Sequence, residues 1–139
     1  LGGNSLVNAN VALRPDREVF MQPQWPATLR DRDVLEPYFE LAAWELGVQP
    51  DCIDRSNKMR AQRIAAENLR DIGCHFEASA LTITRSDSFQ LPVINRQGMI
   101  QRGCTDCGNC MTGCNVGAKN ALAQNYLPMA RRHGAQVFT

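Results

Sequence analysis

The sequence predicts a mixed fold, α/β or α+β. Three observations carry that expectation: two stretches whose apolar residues recur near every 3.6 positions, a short alternating β-branched run at residues 80–84, and a basic-ended helix leading into a second extended run at residues 135–139.

Residues 2–26 read as loop-rich, because Pro15, Pro23 and Pro26 interrupt any long helix or central strand. A helix is expected over residues 33–47. Val34, Leu35, Tyr38, Phe39, Leu41, Ala42 and Leu46 recur at helical spacing, Pro37 belongs in or near the first turn, and Gly47 suits the C-terminus. A second helix starts after Ser56 or Asn57, with Ile64, Ala65, Leu69 and Ile72 on one face and Gly73 as its stop. The period then changes to two at Ala80-Leu81-Thr82-Ile83-Thr84, the pattern of a half-buried strand. Residues 85–102 read as polar loop. The last helix carries Ala118, Leu122, Tyr126 and Ala130 at i+4, puts Arg131, Arg132 and His133 at its carbonyl end, and stops at Gly134. A helix returning into a strand is half of a βαβ unit, which implies a parallel sheet whose other strands lie mostly outside these 139 residues.

Composition excludes several classes of function. With 44% hydrophobic and 21% charged residues the chain is that of a folded globular protein rather than a disordered one. The net charge is +1, and Arg14, Arg30, Arg55, Arg63, Arg85 and Arg102 are scattered, so no nucleic-acid footprint is expected. No apolar run approaches the roughly 18–20 residues that span a bilayer, so no membrane segment is expected in this chain. The residues at both ends, a Gly-Gly turn after Leu1 and an unpaired extended run at Thr139, read as an internal piece of a longer polypeptide.

Cys104, Cys107, Cys110 and Cys114 form a C-x2-C-x2-C-x3-C run. Disulfides within such short loops strain the S–S geometry and remove little unfolded-state entropy. The spacing fits a shared metal centre, and the tight array matches the run that wraps iron-sulfur clusters more closely than the separated Cys pairs of structural zinc sites. Gly103, Gly108 and Gly113 let the backbone turn around it. Asn115 stands where a proline follows the fourth cysteine of that run. Iron-sulfur, zinc and unmetallated thiols therefore all stay open. A metal-binding cluster would favour a cytoplasmic location. Cys52 and Cys74 read as small buried apolar residues rather than ligands.

The opening Gly2-Gly3-Asn4-Ser5-Leu6-Val7-Asn8-Ala9-Asn10-Val11-Ala12-Leu13 resembles the second flavin-contact segment of the glucose-methanol-choline (GMC) oxidoreductase family, closest in wording to its cholesterol-oxidase-like branch. Glycines lacking Cβ allow close backbone approach, and Ser5 and Asn8 can cap the short turn and offer donors. A second stretch, Gly117-Ala118-Lys119-Asn120 with Tyr126-Leu127-Pro128, Ala130 and Gly134-Ala135, looks like the family's helix that leads back into the FAD domain. The resemblance implies FAD as cofactor, with Gly2, Gly3, Asn4, Ser5, Asn8, Ala9, Asn10 and Val11 near it. It also implies a partial Rossmann-like FAD-binding domain with part of the helical and strand substrate region. On that reading residues 1–30 are the flavin-contact segment, 31–100 an insertion towards the substrate region, 101–117 the Cys-rich loop, and 118–139 the helix and strand returning to the FAD domain.

Two departures limit what this stretch supplies. It has no G-x-G-x-x-G, the dinucleotide fingerprint, which the resemblance places before Leu1. The family's catalytic histidine would follow Thr139, and neither His75 nor His133 stands in a matching motif, so no catalytic base is named here. The implied activity is oxidation of an alcohol, with sterol-like alcohols included, by hydride transfer to flavin and on to oxygen or a redox partner. The competing readings are an iron-sulfur electron-transfer module and a zinc-stabilised non-catalytic domain.

Overall fold

The computed structural model describes residues 3–49, 56–86 and 91–138. Gly2 and Cys52, both singled out by sequence, lie outside the described residues, as do Leu1 and Thr139. The described chain orders α1 (Arg17–Phe20), α2 (Glu36–Glu45), α3 (Asn57–Asn68), β1 (Val93–Ile94), β2 (Ile100–Gln101) and α4 (Tyr126–Arg132), joined by 3-10 turns and extended segments.

The helix α2 forms within the expected span. Pro37 sits in its first turn, where a missing N–H leaves no bond unmade. At its end Gly47 adopts φ +59, a conformation costly for other residues, while the Val48 N–H reaches the Ala43 carbonyl (2.9 Å) and the Gly47 N–H the Trp44 carbonyl (3.1 Å). Arg14 forms ion pairs with Glu36 and Glu40, which docks the loop-rich opening on this helix. Phe20 at the end of α1 is buried against Trp25 (ring centroids 5.1 Å apart) and Phe39 of α2 (6.2 Å), in tilted geometries that suit aromatic quadrupoles.

The helix α3 also begins where expected, with Ser56 accepting from the Met59 N–H (3.4 Å), but it ends at Asn68, and left-handed Gly73 instead caps the 3-10 turn Arg70–Ile72 that follows. Its apolar face is a different matter. Ile64, Ala65, Leu69 and Ile72 are exposed, Ile72 by 75%. Periodicity reports which side of a helix would be buried; it carries no information about what lies opposite.

Residues 80–84 are extended, as alternation predicted, and they are the axis of the described structure. Thr82 donates to the Asn10 carbonyl and Ala80 accepts from Ala12, both at 2.8 Å. Further along, Thr84 donates to Ala118 (2.7 Å) and Thr82 accepts from Asn120 (2.9 Å). Leu81, facing the other way as strand alternation requires, exchanges both its bonds with Gln49 at 2.8 Å. The Gly-rich opening and the 118–120 stretch thus lie along the same short strand.

Two expectations fail near the C-terminal end. The helix starts at Tyr126 rather than near residue 118, because Pro128 has no N–H and its ring excludes the carbonyl four residues back, so it is tolerated only in a first turn. Residues 118–120 are thereby released to pair with 82–84, and Leu122–Gln124 forms a 3-10 turn. Residues 135–138 form no strand, and Phe138 is 83% exposed. The expected βαβ half-unit with a parallel sheet is absent among the described residues. Their sheet is antiparallel, β1 against β2, with Val93 opposite Gln101 and Ile94 opposite Ile100. The arrangement is α+β, and these residues do not form a Rossmann sheet.

The β1–β2 hairpin occupies a stretch that sequence reading assigned to loop. Its turn is held by Asn95, whose Oδ1 accepts from the Gln97 (3.0 Å) and Met99 (2.9 Å) N–H groups. The Asn95 Nδ2 donates to Gln101 Oε1 (2.9 Å) and the Gln124 carbonyl (2.7 Å), so both ends of the amide are used. The turn docks on α2, where the Arg96 guanidinium lies 4.0 Å from the Trp44 ring centre and Gln97 donates to Glu45 (2.7 Å). The interior this builds is unusually polar. Phe20, Ile83, Ala118 and Ala121 are its buried apolar residues among those described, beside buried Asn10, Gln97, Gln101, Lys119 and Asn125.

Candidate functional site

The Gly-rich opening begins with a 3-10 turn, Gly3–Leu6. Gly3 is left-handed at φ +52, and a Cβ built on it would meet nothing within 4 Å, so its backbone face is open to a flat ligand. Asn4, Asn8, Ala9 and Val11 are exposed along the same segment. Ser5 is half-buried, its Oγ accepting from the Leu122 N–H (3.1 Å). Asn8 closes a turn on the Asn10 N–H (3.1 Å). Asn10 is buried, left-handed at φ +60, with its carbonyl accepting from both the N–H and the hydroxyl of Thr82. The candidate flavin contacts thus divide into a solvent-facing set and two residues, Ser5 and Asn10, that anchor the segment.

What the opening rests on is Lys119. Its side chain is 4% exposed, and Nζ donates to the carbonyls of Leu6 (3.0 Å), Asn8 (2.6 Å) and Cys110 (3.0 Å). An ammonium has three N–H donors, and all three are taken. Burial pushes the Lys119 pKa down, with the Cys110 and Cys114 sulfurs opposing. Sequence reading quoted Lys119 as part of the family-like stretch but gave it no role, since a lysine among small residues bears no periodic signature of burial.

The four cysteines of the C-x2-C run line one cavity of about 290 Å³, together with Asn10, Leu81 and Ile83. The metal reading is not supported. Among the described residues no three Cys, His, Asp or Glu side chains gather to hold an ion, and the described cysteines form no disulfide. Two of the four thiols are engaged by neighbouring residues. Cys104 Sγ accepts from the Asp106 N–H (3.4 Å) and donates to its carboxylate (3.8 Å), while Cys114 Sγ accepts from the Ala118 N–H (3.3 Å). Cys74, expected to be buried, is exposed.

These surroundings separate the thiols chemically. Burial is the largest influence on Cys114 and pushes its pKa up, but the backbone N–H groups of Lys119, Ala118, Val116 and Gly117 together outweigh it and hold the thiol below its ordinary value. Burial pushes Cys104 and Cys110 up, the latter reinforced by Cys114. A lowered pKa in the folded chain means that the Cys114 thiolate favours folding as pH rises through the folded value; for the other two the sign is reversed. As pH is raised from neutrality, iodoacetamide should therefore label Cys114 before Cys104 and Cys110, all three being half-buried. Peptide mass mapping checks this, and earlier labelling of Cys104 or Cys110 would refute it.

Comparison with known proteins bears on which chemistry this geometry serves. The chain is 33% identical, over an alignment 147 positions long, to proteins named cholesterol oxidase from two strains of Mycobacterium tuberculosis, covering 99% of this chain and 25% of theirs. It is 27% identical, over an alignment 149 positions long, to a cholesterol oxidase of Acinetobacter baumannii, covering 99% of this chain and 26% of that one. Over nearly its whole length the chain is similar to these cholesterol oxidases. It spans about a quarter of the length of these relatives. No protein-family model and no solved structure matches it. The matched span covers 99% of this chain and so is not confined to the two family-like stretches. No described helix is long and apolar enough to cross a membrane. His75 and His133 are exposed and do not line the cavity that holds the cysteine run.

Proposed function

We propose that this chain is the part of an FAD-dependent alcohol oxidoreductase that presents residues 3–11 to the flavin and backs them with residues 117–122. One observation carries the reading: the two stretches that resemble GMC segments, more than a hundred residues apart, are tied directly together by Lys119 on the Leu6 and Asn8 carbonyls and by the Leu122 N–H on Ser5. The open face at Gly3 and the exposed Asn4, Asn8, Ala9 and Val11 suit a planar, hydrogen-bonding ring. When bound, FAD would accept the hydride leaving the carbinol carbon. The chain's own part is positioning. Its anchored loop presents backbone and amide groups, and it excludes water on the side covered by Lys119 and the cysteine loop. A base supplied from elsewhere in the longer polypeptide would take the hydroxyl proton.

A sterol-like or other bulky alcohol is the proposed substrate, with oxygen or a redox partner as acceptor. The test is to purify the longer polypeptide, measure its flavin absorbance, and add cholesterol anaerobically. Bound FAD that bleaches on adding the sterol is expected. A protein that purifies without flavin, or whose flavin stays oxidised with every alcohol tried, would overturn the proposal.

A further inference from the structure

Lys119 is a buried cation that meets no carboxylate among the described residues. Burying an unpaired ammonium is expensive, and the cost is offset only if its protons are well bonded. Here three carbonyls do this, and they come from two loops whose 3-10 turns, Gly3–Leu6 and Cys110–Thr112, lie against each other with no hydrogen-bonded strand pairing between them among the described residues. Leu6 and Asn8 belong to the opening, whereas Cys110 belongs to the cysteine loop, where it begins the 3-10 turn Cys110–Thr112. Lys119 itself is held by the extended pairing of residues 118–120 with 82–84, the segment that also bonds Asn10 and Ala12 of the opening and Cys104 of the cysteine loop. The ammonium is therefore a fixed post to which both loops are roped.

We propose that Lys119 is a positioning residue: it sets the flavin-facing opening against the cysteine loop, so that displacement of the cysteine loop is transmitted to residues 4–8. This deepens the flavin reading and rests on it for its consequence at the cofactor, while the coupling itself rests on the hydrogen bonds alone. A lysine fits this task because its protons reach three acceptors in different directions. Arginine offers a planar fork and should hold two of the three, and methionine fills the space with no donor.

The experiment uses the full-length protein as purified, with Lys119→Met, Lys119→Arg and, as a control, Lys58→Met on the exposed side of α3. Hydrogen exchange is read at the Val7 and Asn8 amides, which bond the Asn4 carbonyl, at Thr112 in the cysteine loop, and at Gly98 and Met99 in the hairpin. In Lys119→Met the amides of 7, 8 and 112 should exchange at least about ten-fold faster while 98 and 99 are unchanged, Lys119→Arg should recover part of the protection, and Lys58→Met should change nothing. FAD should dissociate faster in the same order. Alkylation with iodoacetamide, in which the sulfur bonds carbon as iodide leaves, should speed exchange at 7 and 8 in the wild type and add nothing in Lys119→Met. Unchanged exchange at 7 and 8 in Lys119→Met overturns the proposal, as does equal loss at 98 and 99, because the lysine would then be holding the fold at large. If the wild type carries no FAD but exchange follows the expected pattern, the flavin reading falls and the coupling stands.

Discussion

Replacing Asn120 with alanine is expected to lower stability by about 3 kcal/mol, a large share of the roughly 5–15 kcal/mol that holds an ordinary domain together. Asn120 Oδ1 accepts from Gln101 Nε2 (2.9 Å) and Thr84 Oγ1 (3.0 Å), and Nδ2 donates to the Gly47 carbonyl (3.2 Å). Three elements meet at this one amide: the hairpin, the 80–84 strand and the end of α2. Gln101 is 2% exposed, so truncating its partner strands an amide away from water, a penalty of about 1–3 kcal/mol before the other two bonds are counted. The apolar core here is too small to absorb the loss. Urea denaturation of the variant beside the wild type measures it, and a shift equivalent to less than about 1 kcal/mol would show that water replaces the network at little cost.

Phe20→Ala should cost about 3–5 kcal/mol. Phe20 is 4% exposed and packs on both Trp25 and Phe39, so the substitution removes the shared partner of two aromatic contacts and opens a void where α1 meets α2. Phe20→Leu should recover more than half of the loss, because most of the volume returns. Met21, next in sequence but 65% exposed, is the comparison: Met21→Ala should cost little. Near-equal midpoints for Phe20→Ala and Met21→Ala would mean that this aromatic cluster does not hold the opening to α2.

The elements that could be read from sequence are those closed by local chemistry. Pro37 and Gly47 bracket α2, and Ser56 and Gly73 bracket α3 with its following turn, because capping bonds run between residues a few positions apart. The hairpin carried a local signal too, Asn95 and Gly98 between Val93-Ile94 and Ile100, with Gly98 at φ +77, but polar composition hid it behind a loop assignment. In the last helix, i+4 spacing outweighed Pro128, and the proline decided the start. The cysteine spacing was visible, yet spacing constrains only which thiols can converge. The turning of Cys104 towards Asp106 and of Cys114 towards Ala118 followed from the backbone path.

Sequence alone determined the place of α2, the start of α3, that residues 80–84 would be extended, and that two separated stretches read like one flavoprotein family. Each of those rests on interactions within a few residues or on residue identity itself. Tertiary structure decided what lies beside what: that Asn10 and Asn120 share the 80–84 strand, that an amide network takes the place of an apolar core, and that Lys119 reaches three carbonyls of two loops. Contacts across such separations leave no period in the chain, because their energy depends on direction and burial in three dimensions, and neither is set until the backbone has folded.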